Sequence, residues 1–192
     1  MTEEPLPGPS LEGVRYGRLA RHPDERGSFR EVWRAAWYEG LDESSAGLPD
    51  PAFVQANVSV SDAWVLRGLH FHRRQLDHWV VLDGRALVAL VDVRPMLAGG
   101  PAPAVETREL KADEWVGIPT GVAHGFLALE PLTLLYLVTN EYDGRDELGF
   151  AWDDPLAAVA WPTVGTADGR PRLSRRDLTN PSLAELVASL RG

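Results

Sequence analysis

The stretch Arg67-Gly68-Leu69-His70-Phe71-His72-Arg73-Arg74-Gln75-Leu76-Asp77-His78-Trp79-Val80-Val81-Leu82-Asp83-Gly84-Arg85-Ala86-Leu87-Val88-Ala89-Leu90-Val91-Asp92-Val93 decides the reading of the fold. Its apolar residues come in short runs, Trp79 to Leu82 and Arg85 to Val93, rich in side chains that fit a pleated, half-buried surface. Between them stands Asp83-Gly84, which predicts a hairpin because glycine accepts the positive φ of tight primed turns. Similar runs lie outside the stretch at Phe53 to Val60 and Leu132 to Thr139. Short strands separated by turn residues predict an all-β sandwich or barrel. On such a strand His70 and His72 project to the same face, and in a small barrel one face is the interior.

Helical spacing is clear only at the end of the chain. Asn180-Pro181-Ser182 precedes Leu183, Leu186, Val187 and Leu190, with Glu185 in the first turn, which predicts a short C-terminal helix within 180–192. Gly40 to Pro51 and Met96 to Pro103 read as loops. No repeat or linker divides the 192 residues, so a single domain is expected over 1–192, with an N-terminal arm at 1–15. The arm begins with Glu3, Glu4 and three prolines and lacks the basic start and apolar stretch of a secretion signal.

A net charge of −9 argues against a nucleic-acid or membrane-surface binder, since both depend on a positive field. Apolar runs stop well short of the ~18 residues that a membrane span requires. With no cysteine there is no disulfide framework and no thiolate chemistry, which suits a reducing cytoplasm.

Four of the five histidines fall in two segments, the one quoted above and Pro119-Thr120-Gly121-Val122-Ala123-His124. His-x-His, a carboxylate, a glycine, and later Pro-x-Gly-x-x-His is similar to the two-part signature of the cupin superfamily, with Asp77 where most such sequences have Glu. A narrower resemblance runs through Asp24-Glu25-Arg26-Gly27-Ser28-Phe29-Arg30-Glu31, Gln55-Ala56-Asn57-Val58-Ser59, Arg67-Gly68-Leu69-His70, Ala123-His124-Gly125-Phe126, Trp152-Asp153-Asp154-Pro155 and Leu173-Ser174-Arg175-Arg176-Asp177. Through these segments the chain resembles the dTDP-4-dehydrorhamnose 3,5-epimerase family.

The resemblance implies a cupin jelly-roll β-barrel of two antiparallel sheets, and a cytoplasmic enzyme that epimerises or isomerises a nucleotide-linked 4-keto-6-deoxy sugar without a cofactor. It also implies a homodimer that exchanges N-terminal strands. By resemblance His70 is the base, Asp177 the carboxylate that orients it, and Tyr136 the acid on the opposite face. Arg26 and Arg67 resemble diphosphate contacts, Phe29 and Glu31 base-recognition residues, and Gln55, Asn57 and His124 further substrate contacts. The chemistry is coherent without the family: a carboxylate raises the basicity of a histidine, a tyrosine hydroxyl can protonate a carbanion, and guanidinium forks suit phosphate oxygens. Each residue also has a plainer reading. The histidines can be a satisfied polar core, Arg26 and Arg67 solvated cations, Tyr136 a strand aromatic, and Asp177 a surface carboxylate.

Two positions depart from the family pattern. The epimerases carry a lysine two residues after the glutamine that matches Gln75, where it stabilises the enolate; here that position is Asp77. Lys111, the only lysine, lies far from these motifs. His72 stands where the family usually has glutamine. Together His70, His72, Asp77 and His124 match the donor set of metal-binding cupins, so one divalent metal ion is the alternative to a cofactor-free site. Three functions follow: a sugar-nucleotide epimerase or isomerase of narrower action, a metal-dependent cupin oxygenase, lyase or cyclase, and a non-catalytic sugar-nucleotide binder.

Overall fold

The computed structural model describes residues 8–38, 53–142 and 144–191. The expected loop from Gly40 to Pro51 lies outside the described residues, as does the start of the arm, 1–7. One antiparallel sheet contains β1 (Arg15–Arg18), β4 (Gln55–Ser61), β6 (Asp77–Asp83), β9 (Glu114–Ile118) and β11 (Leu132–Val138), in the order β1-β9-β6-β11-β4. The second contains β5 (Leu66–Phe71), β7 (Arg85–Asp92), β8 (Ala104–Lys111), β10 (Val122–Ala128) and β12 (Leu148–Gly149), in the order β12-β5-β10-β7-β8. A separate hairpin pairs β2 (Arg21–Asp24) with β3 (Gly27–Arg30).

The sheets face each other because each strand buries alternate apolar residues on the same side. Val81, Val116, Ile118 and Leu134 of the first sheet share one core cluster with Val88, Leu90, Leu110 and Phe126 of the second. This is the two-sheet β-barrel expected from the sequence. The outer face of the second sheet is covered by the helix Leu183–Arg191, whose Leu183, Leu186 and Val187 cluster with Leu69, Phe71, Ala89 and Val91. That helix begins with a reciprocal cap: Ser182 N–H donates to Glu185 Oε2 at 2.8 Å, and Glu185 N–H donates to Ser182 Oγ at 3.2 Å. The buried Asp154 adds a third contact, accepting from Leu183 N–H at 2.9 Å. The motif Trp152-Asp153-Asp154-Pro155 thus has a structural use.

Two local expectations are corrected. Asp83-Gly84 does not close a hairpin, because β6 and β7 lie in different sheets: Asp83 pairs with Thr133 of β11, and Arg85 with Lys111 of β8. Gly84 has φ of +84°, and a Cβ there would lie 2.1 Å from Pro131 O, so the corner between sheets needs glycine as much as a hairpin would. The local signal cannot tell the two apart. The region expected as a loop from Met96 begins instead in a one-turn helix, Arg94–Leu97, started by Pro95 and by Asp92 Oδ1 accepting from Arg94 N–H at 3.1 Å.

β4 is an edge strand. Its Gln55, Asn57 and Ser59 turn inward, whereas Val58 and Val60 remain 59% and 70% exposed on the other face. Of the N-terminal arm, Leu11 and Val14 are buried in the core cluster between the sheets. Among the described residues no helix is long and apolar enough to cross a membrane.

Candidate active site

Between the sheets, toward one end, lies a cavity of about 550 Å³. The first sheet contributes Gln55, Asn57, Asp77 and Tyr136, and the second contributes Arg67, His70 and His124, with His72 just beyond β5. Register explains the grouping. His70 pairs directly with His124, and Tyr136 pairs with Asn57 on one side and Trp79 on the other. β5 and β10 approach so closely that a Cβ on Gly68 would stand 2.6 Å from Gly125 Cα, and Gly68 has φ of +133°. Glycine here lets His70 and His124 sit side by side.

Asp177 reaches the site from far along the chain. Leu66 N–H donates to Arg172 O at 2.9 Å, which lays the segment after Arg172 along β5. A short 3-10 turn, Asp177–Thr179, then sets Asp177 Oδ1 2.9 Å from His70 Nε2. Burial raises the Asp177 pKa, but the hydrogen bond and charge of His70, with smaller help from Ser174 and Arg176, outweigh it and hold the carboxyl below its usual range. The carboxylate fixes Nε2 of His70 and leaves Nδ1 as the ring nitrogen for the cavity.

Tyr136 lines the same cavity as His70, from the other sheet. Its pKa is raised, chiefly by burial and then by the charge of Asp77, with Arg67 opposing, so the phenol keeps its proton near neutral pH. Arg67 is held by Ser61 Oγ at 3.1 Å and Val60 O at 3.2 Å. Gln55 donates to Asn57 Oδ1 at 2.9 Å and accepts from Tyr142 N–H at 2.9 Å.

Asp77 is buried and lines the same cavity. Gln75 Nε2 donates to its Oδ1 at 2.8 Å, and Trp79 Nε1 to its Oδ2 at 3.0 Å. His124 Nε2 lies 3.8 Å from Oδ2. Burial pushes the His124 pKa down to about 4 against the upward pull of Asp77, and the neighbouring His72 and His70 lower it further. Ligand atoms of His72, Asp77 and His124 all lie within 4.8 Å of one another. His70, the fourth residue of the expected metal set, is outside that group.

Three expected site residues do not meet this cavity. Arg26 is exposed and paired with Asp24, Phe29 is 65% exposed and stacks on His22, and Glu31 pairs with Arg34. The first two sit on the β2–β3 hairpin and Glu31 directly follows it. The base of this hairpin is clamped where Asp113 accepts from Arg21 Nε at 2.8 Å and from Arg30. His78, next to Asp77, points to the opposite side of its sheet, where Tyr38 Oη is 2.6 Å from Nδ1 among Trp37, Phe53 and Trp115.

No sequence pattern assigns a role to Arg176 and Glu147, which line the cavity and pair with each other, or to Gln75 and Trp79, which hold Asp77. Arg176 stood beside Asp177 in a motif already singled out. Glu147 follows no pattern that marks it.

The model of the dTDP-4-dehydrorhamnose 3,5-epimerase family matches residues 9–185. A dTDP-4-dehydrorhamnose 3,5-epimerase of Sinorhizobium fredii is 33% identical over 190 residues, covering 94% of this chain and 90% of its own. Among solved structures, the rmlC epimerase of Mycobacterium tuberculosis superposes with a TM-score of 0.81 at 33% identity, covering 98% of this chain and 92% of the other. The enzyme of Legionella pneumophila, in complex with dTDP-4-keto-L-rhamnose, gives 0.82 at 29% identity over 98% and 97% of the two chains.

Proposed function

The chain belongs to the dTDP-4-dehydrorhamnose 3,5-epimerase family, and we propose that it is a cytoplasmic epimerase or isomerase of a nucleotide-linked 4-keto-6-deoxy sugar, built as a single cupin domain over 1–192. The observation that carries this reading is the His70–Asp177 pair on one sheet wall facing Tyr136 on the other. Nδ1 of His70 takes the proton from the carbon beside the ketone; the C–H bonding pair becomes a carbon–carbon double bond and the carbonyl π pair moves onto the ketone oxygen, giving an enolate. The Tyr136 hydroxyl then returns a proton to the same carbon from the opposite face, which inverts it. The imidazolium loses its proton and the phenolate regains one through solvent, restoring both groups. Family membership and this geometry favour the sugar reading over another cupin reaction or a non-catalytic binder.

Arg67, Gln55, Asn57 and His124 line the space a sugar nucleotide would fill. Arg26, Phe29 and Glu31 fit the reading only if they serve a second copy of the chain. The hairpin that carries Arg26 and Phe29 stands away from its own cavity, and the exposed Val58 and Val60 of edge strand β4 offer an apolar face for a partner. A homodimer that exchanges these hairpins accounts for both. Asp77 stands where the family has a lysine; without a replacement cation, one lost oxyanion donor costs roughly 10²-fold or more in rate, which is the basis for expecting action narrower than double epimerisation.

The test is solvent proton exchange. In deuterated water the wild-type protein should place deuterium beside the ketone of a dTDP-4-keto-6-deoxyhexose. Binding of that compound without any exchange would leave a sugar-nucleotide binder and end the enzymatic reading.

A further inference from the structure

We propose that His72, Asp77 and His124 form a site for one divalent first-row transition-metal ion, beside the His70–Asp177 pair and separate from it. Nδ1 of His72 lies 2.7 Å from Asp146 O, and Nδ1 of His124 lies 3.1 Å from Val122 O. A carbonyl oxygen can only accept, so each Nδ1 carries the proton and each Nε2 presents a lone pair. Across from them stands the Asp77 carboxylate, its two oxygens held by Gln75 and Trp79. Between His124 Nε2 and Asp77 Oδ2, 3.8 Å apart, two acceptors face each other across a gap longer than a hydrogen bond. Without a cation that arrangement is repulsive; with one it becomes a ligand set.

Other features agree. All three ligand atoms lie within 4.8 Å of one another, so modest side-chain rotation brings them to a common centre. Each ligand is oriented from behind by a carbonyl, an amide or an indole N–H, the outer support that metal ligands require. Two imidazoles and a carboxylate suit iron, cobalt, nickel or zinc(II) better than the oxygen-seeking magnesium or calcium. His70 lies outside this group of ligand atoms, with its Nε2 engaged by Asp177 and its Nδ1 kept for the proton. With an ion bound, base and cation would act together: His70 would take the proton, and the ion held by His72, Asp77 and His124 would supply positive charge where the family carries its lysine. That consequence rests on the proposed sugar chemistry, whereas the binding does not.

The experiment titrates untagged, chelator-stripped protein with cobalt(II) and follows the visible absorption of the bound ion. One cobalt per chain is expected, with His72→Gln and Asp77→Asn each weakening binding by about 100-fold or more and His70→Ala leaving it unchanged. His72 is only partly buried, so His72→Gln should fold even where the change at Asp77 does not; a melting curve checks each. No cobalt spectrum at millimolar metal, or one that survives His72→Gln, overturns the site, as does a spectrum lost in His70→Ala. Cobalt binding without sugar exchange would refute the proposed enzyme while leaving the metal site standing.

Discussion

His70 and Asp177, 107 positions apart in the chain, meet with Nε2 and Oδ1 at 2.9 Å. The carboxylate can accept only from a protonated Nε2, and this sets the tautomer whose free lone pair is on Nδ1. Asp177→Asn keeps the shape but lets the amide donate to Nε2, which moves the ring proton to Nδ1 and blocks the base. Proton exchange should fall by roughly 10²–10⁴ with little change in melting temperature or in nucleotide binding. Near-normal exchange in this variant would show that the pair has no part in proton transfer.

Asp77→Lys separates two accounts of the cavity by sign. If no ion is held there, the new ammonium supplies the cation missing from the enolate and exchange should rise, extending to carbons on both sides of the ketone. If the ion is held, the substitution removes a ligand and adds like charge, so metal content and exchange should fall together. Our account predicts the fall, measured by elemental analysis and exchange on the same preparation.

The hairpin makes a prediction about mixing. Arg26→Ala and His70→Ala chains, each inactive alone, should regain activity when co-expressed, because one pocket of each mixed dimer then combines an intact His70 with the partner chain's intact arginine. Activity that stays absent in verified mixed dimers would contradict completion of the pocket by the partner's hairpin. Asp113→Asn, which loosens the hairpin base clamped through Arg21 and Arg30, should raise KM more than it lowers kcat.

Gly68→Ala should damage stability and site together. At φ of +133° an alanine is strained by about 1–3 kcal/mol, and its Cβ would meet Gly125 Cα at 2.6 Å. Both His70 and His124 sit on the strands that must part, so a lower melting temperature should accompany weaker exchange.

His78 gives a pH signature away from the cavity. Burial pushes its pKa from 6.5 down to about 4, with the Val32 carbonyl pulling weakly the other way. The unfolded chain therefore takes up a proton first, so the contribution of neutral His78 is complete above pH 6.5 and drains away as pH falls toward about 4. The stability difference between wild type and His78→Asn, measured by denaturant unfolding, should shrink through that window.

The strands were legible because alternation of apolar residues survives in Phe53 to Val60, Arg85 to Val93 and Leu132 to Thr139, and the helix because Ser182 and Glu185 cap a spaced apolar stripe. Which strands pair was not legible at Gly84, since a positive φ serves a corner and a hairpin equally. His70, His72 and His124 could be placed on one wall from alternation and the paired motifs. Asp177 and Tyr136 rested on family resemblance, for only the course of the chain past Arg172 and the facing of the sheets bring them near His70. Arg26, Phe29 and Glu31 show the limit of motif matching: the motif marks them as site residues, whereas the structure sets them away from the cavity of their own chain.

The most direct measurement of the central claim is deuterium incorporation into a dTDP-4-keto-6-deoxyhexose, followed by mass spectrometry and NMR for wild type, His70→Ala and Tyr136→Phe. The account predicts incorporation beside the ketone in the wild type, none in His70→Ala, and incorporation with impaired inversion in Tyr136→Phe. No incorporation by the wild type, or incorporation that His70→Ala leaves intact, would contradict it.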